Sequence, residues 1–354
     1  MSRELKGAPW LFPGVTNVSD CETAREVIEK AKLDFSVAKC EVVARTPLLG
    51  TDLDIDKEMK NPTKDRFIYG GSRFSKVENA FATYRTDTCE PLGLVKSKYE
   101  IVQNRDAFTF FNDAIGVNKA LWDTAGCFDN GQQIFVSAKL PKTTVVNGKD
   151  NIENYLVFRN SHDGSTSVNI LFTSIRIICQ NCLPGAIKDG KNNNSFISLR
   201  HTNSVHGKID EALEILGFAV KQAERMEVEF NRLALKKMND NQVMDYIASI
   251  HLSAEEYSRL KLEPNGLNML FARDNTTIKN ADISTRKVNM ITDTYNYYFN
   301  GEGQFEYRGT AWGAFNAITG YYSNIANLSG QKRMETMLYG NAGNVMSKAL
   351  ISVA

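Results

Sequence analysis

Residues 154–206 read NYLVFRNSHDGSTSVNILFTSIRIICQNCLPGAIKDGKNNNSFISLRHTNSVH, and this stretch decides the fold. Two apolar, β-branched segments, 155–158 and 168–179, flank the polar run 160–165. Asn, Asp and Gly in that run supply local hydrogen bonds and positive φ, so the spacing predicts a hairpin. Three of the four histidines fall in the window, with Arg159, Arg176, Arg200 and an amide-rich stretch.

Upstream, 121–128 and 134–140 read as strands around the Asp129-Asn130-Gly131 turn, and 104–115 reads as a helix with Asn104 as its cap. Before them, 40–44, 66–69, 81–85 and 94–102 are short strand candidates, the last two joined by a Pro91/Gly93 turn. A charged segment, 52–64, reads as a solvated loop. Near the N-terminus Trp10, Leu11 and Phe12 form an apolar arm, suited to this chain's own body or to a neighbour's, and 21–32 reads as a helix capped by Ser19 or Asp20.

Downstream, Ile209, Leu213, Leu216, Val220, Ala223, Phe230 and Leu233 keep helical spacing to about residue 238. The remainder is mainly helical: Ser253 to Glu256 is a capping box, Pro264-Asn265-Gly266 a break, and helices follow near 277–299, 310–325 and 331–353. The expected class is α+β, an antiparallel β-meander with a long packing helix and a helical C-terminal region. The expected division is 1–35 (arm and short helix), 36–240 (α+β core) and 241–354 (helical domain).

Forty-two basic against forty-one acidic residues exclude a wholly basic nucleic-acid coat, though not a local basic strip. No apolar run reaches the roughly 18–20 residues that span a bilayer, and the opening MSRELKGAPWLFPG lacks a signal peptide's apolar region. A cytoplasmic location is therefore expected, with Cys21, Cys40, Cys89, Cys127, Cys179 and Cys182 as free thiols.

His162-Asp163 offers a general base beside a carboxylate, but Asp163 in such a turn can equally bond its own backbone while His162 packs on the sheet. Cys179 and Cys182 have CxxC spacing, yet His201 and His206 follow at a distance that matches no standard zinc finger. Aromatics crowd 295–322, where helical spacing favours core over base stacking. No glycine cluster is followed by GK[ST], so nucleoside triphosphate binding is not expected, nor is any cofactor or metal. Over 171–208, Arg176, Lys188, Lys191, Arg200 and Lys208 stand against Asp189 alone. Such cations, with neutral amides and hydroxyls, suit phosphate contacts.

Tyr84-Arg-Thr-Asp87, Tyr99-Glu-Ile-Val-Gln-Asn104, Asn160-Ser-His-Asp-Gly-Ser165, Arg176-Ile-Ile-Cys-Gln-Asn181, Arg200-His-Thr202 and Gly309-Thr-Ala-Trp312 give a further reading. With these pieces the chain resembles the phage/plasmid-like protein family, a domain of unknown function carried by bacteriophages, plasmids and prophages. The resemblance implies a mobile-element origin and a bacterial host cytoplasm, and brings no catalytic residue. More loosely, the helix–meander–helix order is similar to the core of single-strand annealing recombinases, which form rings or filaments on single-stranded DNA.

The first expectation is thus a phage- or plasmid-encoded homo-oligomer that binds single-stranded DNA and anneals strands in recombination without ATP. Arg159, Arg176, Lys188, Lys191, Arg200, His201 and Lys208 would contact the nucleic acid. Two alternatives stand beside it: an interaction, anti-defence or structural phage protein without catalysis, and a hydrolase centred on His162 and Asp163.

Overall fold

In chain order, β1 (Thr16–Asn17) and α1 (Ala24–Lys30) lead into β2 (Val37–Pro47), β3 (Arg66–Tyr69), β4 (Ser72–Arg85) and β5 (Pro91–Val95). Helix α2 (Asn104–Asn118) follows. Then come β6 (Leu121–Phe128), β7 (Gln133–Lys139), β8 (Thr144–Val146), β9 (Asp150–Ser161), β10 (Val168–Arg176), β11 (Asn181–Leu183) and β12 (Phe196–Leu199). The C-terminal part holds α3 (Phe218–Leu235), α4 (Asp240–His251), α5 (Ala254–Leu262), α6 (Gly266–Phe271), α7 (Asn275–Asn280), α8 (Thr285–Asn300), α9 (Ala311–Gly320), α10 (Gly330–Met334) and α11 (Asn341–Val353). This computed structural model describes residues 8–48, 59–63, 65–179, 181–183, 196–202, 205 and 218–354.

The meander forms as its turn residues dictate. Strands β6, β7, β9 and β10 are successive antiparallel neighbours, and β1, β8, β11 and β12 complete that sheet. Asn130 and Gly131 both take positive φ between β6 and β7. Nearly every residue of β7, β9 and β10 is buried, because both faces of the sheet are covered. On one face Phe110 and Phe111 of α2 meet Phe158, and Phe111 also meets Trp122. On the other, Trp10 stands edge-on to Tyr155, and Phe12 stacks on Phe128. The arm therefore packs on its own chain.

Strands β2, β3, β4 and β5 make a second antiparallel sheet, hereafter the wing, whose long β2 is mostly exposed and whose long β4 is mostly half-buried. Its root is pinned to the meander: Thr83 Oγ1 donates to the His162 carbonyl at 2.6 Å. At that crossing a Cβ on Gly93 would lie 2.5 Å from Asp163 Cα, so only glycine allows the approach.

Several boundaries differ from the sequence reading for local reasons. Helix α1 starts at Ala24, because Thr23 and Glu26 form the capping box, while Asp20 pairs with Lys30 instead of capping. Helix α2 is capped at Gln103, and the Asn104 amide is spent on the Leu33 carbonyl. Pro91 and Gly93 lie inside β5, which ends at Val95. The turn lies earlier, where Cys89 takes positive φ and donates to the Arg85 carbonyl. The start of the long helix near 208 lies outside the described residues; its described part, α3, is tied to β8 by Asn231 and Glu227. The 277–299 helix is two, α7 and α8, parted by Asp282 in the left-handed region, with Ser284 capping α8. Helices α9 and α10 each relax into a π-helical turn, Tyr321–Ile325 after α9 and Glu335–Tyr339 after α10. The capping box at Ser253 and the break at Asn265 are where the sequence put them.

One apolar core runs from Ala8 to Val353, with Phe230 of α3 against Trp312 and Phe315 of α9. Trp10 is fully buried in it, and its Nε1 donates to Asp123 at 3.4 Å. Trp10→Ala is expected to lower unfolding free energy by about 3–5 kcal/mol in urea denaturation, at any protein concentration. A loss that grows with dilution would instead place the arm on a second chain.

Candidate nucleic-acid interface

Of the residues expected to neutralise phosphates, the described arginines of the strands, Arg159 and Arg176, are buried. Arg159 is buried in β9: its Nε donates to Gln133 Oε1 at 3.1 Å, its Nη2 reaches the same oxygen, and Glu335 accepts from it at 2.9 Å. The Tyr339 ring lies 5.0 Å from that guanidinium. Arg176, at the end of β10, is wholly buried, with Nε donating to Asp150 Oδ2 at 2.6 Å and Nη2 to the Gly303 carbonyl at 2.9 Å. Neither guanidinium faces solvent, because a strand covered on both faces can keep an arginine only by pairing it with an acid. The concave basic track expected of these two is not formed.

Arg200 is exposed just after β12. His201 is buried, its Nδ1 donating to the Glu100 carbonyl at 2.9 Å while its ring stacks on Tyr99 at 4.5 Å. Lys188, Lys191 and Lys208 lie outside the described residues, as do the amides of 192–194.

The hydrolase reading fares no better in geometry. His162 is 0% exposed, and its Nε2 donates to Asn104 Oδ1 at 2.7 Å. Asp163 Oδ1 accepts from Ser165 N and Ser165 Oγ, an Asx turn closed on itself. The pair is therefore not an oriented base and carboxylate, and no substrate reaches the ring. Cys179 and Cys182 are buried too, and burial pushes the Cys182 thiol up to about 11. Among the described residues no three His, Cys, Asp or Glu side chains come together as metal ligands.

The outer part of the wing, which the sequence reading passed over, brings aromatic and basic side chains onto one face. Gly70 and Gly71 both take positive φ, closing a two-residue hairpin between β3 and β4 that matches the twist of the strands. Arg45, Phe74 and Phe67 then lie in one cross-strand row, and Pro47, Ser72 and Tyr69 in the next row on the same face. Phe67 and Phe74 stack at 5.1 Å with planes 7° apart. Tyr69 is 76% exposed, and Arg45, also exposed, donates Nε to Ser72 Oγ at 3.0 Å. Arg66 and Arg73 belong to the opposite face, while Lys76 is held by Glu41 at 2.7 Å. At the wing's root Lys96 and Lys98 are exposed, and the adjoining Tyr99 hydroxyl donates to the Ser161 carbonyl at 2.6 Å. The Gly-Gly pair between Arg-Phe-Ile-Tyr and Ser-Arg-Phe was the available signal for this hairpin.

A protein family described as a domain of unknown function (DUF932) matches residues 91–339. The match begins at β5, leaving β1 to β4 outside it. No curated protein and no solved structure matches the chain.

The buried histidines make stability depend on pH. Burial, then the charge of nearby His201, brings His162 down to about 4 against an opposing pull from Asp163; burial and then Lys348 bring His251 to about 4 as well. Between pH 6.5 and 4 the unfolded chain holds protons that the folded chain refuses, so stability is full above that window and falls on acidification. Each histidine is expected to remove about 2 kcal/mol between pH 7 and 5. His162→Gln, which keeps a donor for Asn104, should flatten the curve of urea midpoint against pH by that amount; an unchanged curve would contradict the assignment.

Proposed function

The chain belongs to the DUF932 family, a domain of unknown function, and from that premise we propose that it binds single-stranded nucleic acid on the open face of the wing. The observation that carries this reading is the row of Arg45, Phe74 and Phe67 with exposed Tyr69 beside it. Flat aromatic faces stack on any base, and a base on such a ring is worth about 1–3 kcal/mol. Arg45, exposed on the same face, draws the backbone. Arg200, Lys96 and Lys98 would extend the attraction toward the wing's root.

The helix–meander–helix order of α2, the large sheet and α3 supports a role of the strand-annealing kind, carried out by a homo-oligomer without ATP. In this reading the protein works in phage or plasmid recombination in a bacterial cytoplasm. A duplex gives the platform little to hold, since its bases are already stacked. The reading is therefore of single strands.

Fluorescence anisotropy with a labelled oligothymidine tests this directly. Binding is expected at low salt, with a slope of log affinity on log salt of about −2, as for three neutralised phosphates. Tyr69→Ala with Phe74→Ala should weaken binding by ten- to a hundredfold at unchanged melting temperature. Absence of binding at low salt removes the proposal, as does full affinity in the double variant. Capture of a stoichiometric host protein without oligonucleotide binding would favour the interaction-protein alternative.

A further inference from the structure

Asp150 opens β9 and Ser161 closes it, so the start of the strand lies roughly 35 Å from the wing's root. A cleft of about 360 Å³ opens there, lined by Lys149, Asp150, Arg176, Ile178, Phe305 and Tyr307 among others. We propose that this cleft binds a small, neutral, planar heteroaromatic ring bearing an exocyclic amino group, the chemistry of adenine and cytosine.

Its polar groups leave an acceptor unused. Asp150 Oδ2 accepts from Arg176 Nε at 2.6 Å and from Trp312 Nε1 at 3.0 Å. Asp150 Oδ1, equally buried, has no hydrogen-bond partner among the described residues, and neither has the Tyr307 hydroxyl. The donors of Arg176 are engaged elsewhere: Nη1 on Cys179 Sγ at 3.5 Å and Nη2 on the Gly303 carbonyl. A buried carboxylate oxygen without a donor is costly, so the cleft rewards a ligand that brings an N–H. Burial, then the charge of Asp150, pushes the Tyr307 phenol up to about 12, so it stays protonated and can donate to a ring nitrogen or carbonyl.

Shape and charge narrow the class. Ile178 is 51% and Phe305 77% exposed, large apolar side chains that flank the opening, and the Arg308 guanidinium lies 5.1 Å from the Phe305 ring. An aromatic ring and an aliphatic side chain over a polar floor suit a planar aromatic ligand. Lys149 and Arg176 balance Asp150 and Glu306, so neither a phosphate nor a free cation is favoured. The volume sits at the low end of the roughly 300–1,000 Å³ of small-molecule sites, enough for a nucleoside rather than an oligomer.

Adenosine and inosine differ at the group in question, an amine against a carbonyl. Calorimetric titration of the full chain, followed also by Trp312 fluorescence because that indole shares Asp150, is expected to give saturable adenosine binding. Inosine should bind at least about tenfold more weakly, since its carbonyl would face Asp150 Oδ1. Phe305→Ala, at an exposed position, should weaken adenosine about fivefold or more without moving the melting temperature, and Tyr307→Phe should weaken it too. The same titration on the Tyr69→Ala, Phe74→Ala protein separates the two sites: retained binding assigns the ring to the cleft, and lost binding assigns it to the wing and overturns the proposal. No saturable binding of adenosine or cytidine, equal affinity for inosine, or an unaffected Phe305→Ala would each overturn it as well.

Discussion

The Arg176–Asp150 ion pair holds the two halves of the molecule in register. Asp150 begins β9, Arg176 ends β10, and Trp312 of α9 donates to the same carboxylate oxygen that the arginine holds. The guanidinium lies 5.3 Å from the Tyr307 ring and 5.8 Å from that of Trp312. A pair this deep adds little net stability over an apolar substitute, yet breaking it by removing one partner costs about 3–5 kcal/mol. Its consequence is geometric: strand ends, the 303–307 segment and α9 have one arrangement that leaves no charge stranded. Next to it Asn181 of β11 donates to Asn316 and Thr319 of α9, a polar tie set within the apolar contact of sheet and helices.

The same constraint explains where function can and cannot sit. A cation spent on register is unavailable to a phosphate, which removes Arg159 and Arg176 as phosphate contacts. What stays open are the wing, joined to the body at Thr83, Gly93 and Tyr99, and the cleft that the ion pair itself lines at the start of β9. Strands β2 to β4, which carry the wing's aromatic row, precede the span matched by the family, whereas the cleft residues fall within it. A nucleic-acid platform on the wing would therefore belong to this chain's own N-terminal part, and the cleft to the common domain.

Much of the fold was legible in the residues. The meander followed from Asp129-Asn130-Gly131 and from the polar run between two β-branched segments, because turn chemistry and strand preference are local. The capping box at Ser253 and the break before Gly266 were equally local. The site was less legible for a physical reason. An arginine inside a strand reads as an exposed residue under period-two alternation, but β9 and β10 are covered on both faces and alternation says nothing there. The acids that hold Arg159 and Arg176 stand 176 and 26 residues away, beyond any window of sequence. The π-helical turns at 321–325 and 335–339 were likewise hidden, since one extra residue per turn barely disturbs a helical pattern.

The most direct test of where nucleic acid lies is a map of photo-cross-links between the protein and a halogenated single-stranded oligonucleotide. The account predicts adducts on Phe67, Tyr69 or Phe74, and none on the buried strands around Arg159 and Arg176. Adducts confined to those strands, or to the helical C-terminal surface with the wing untouched, would contradict it.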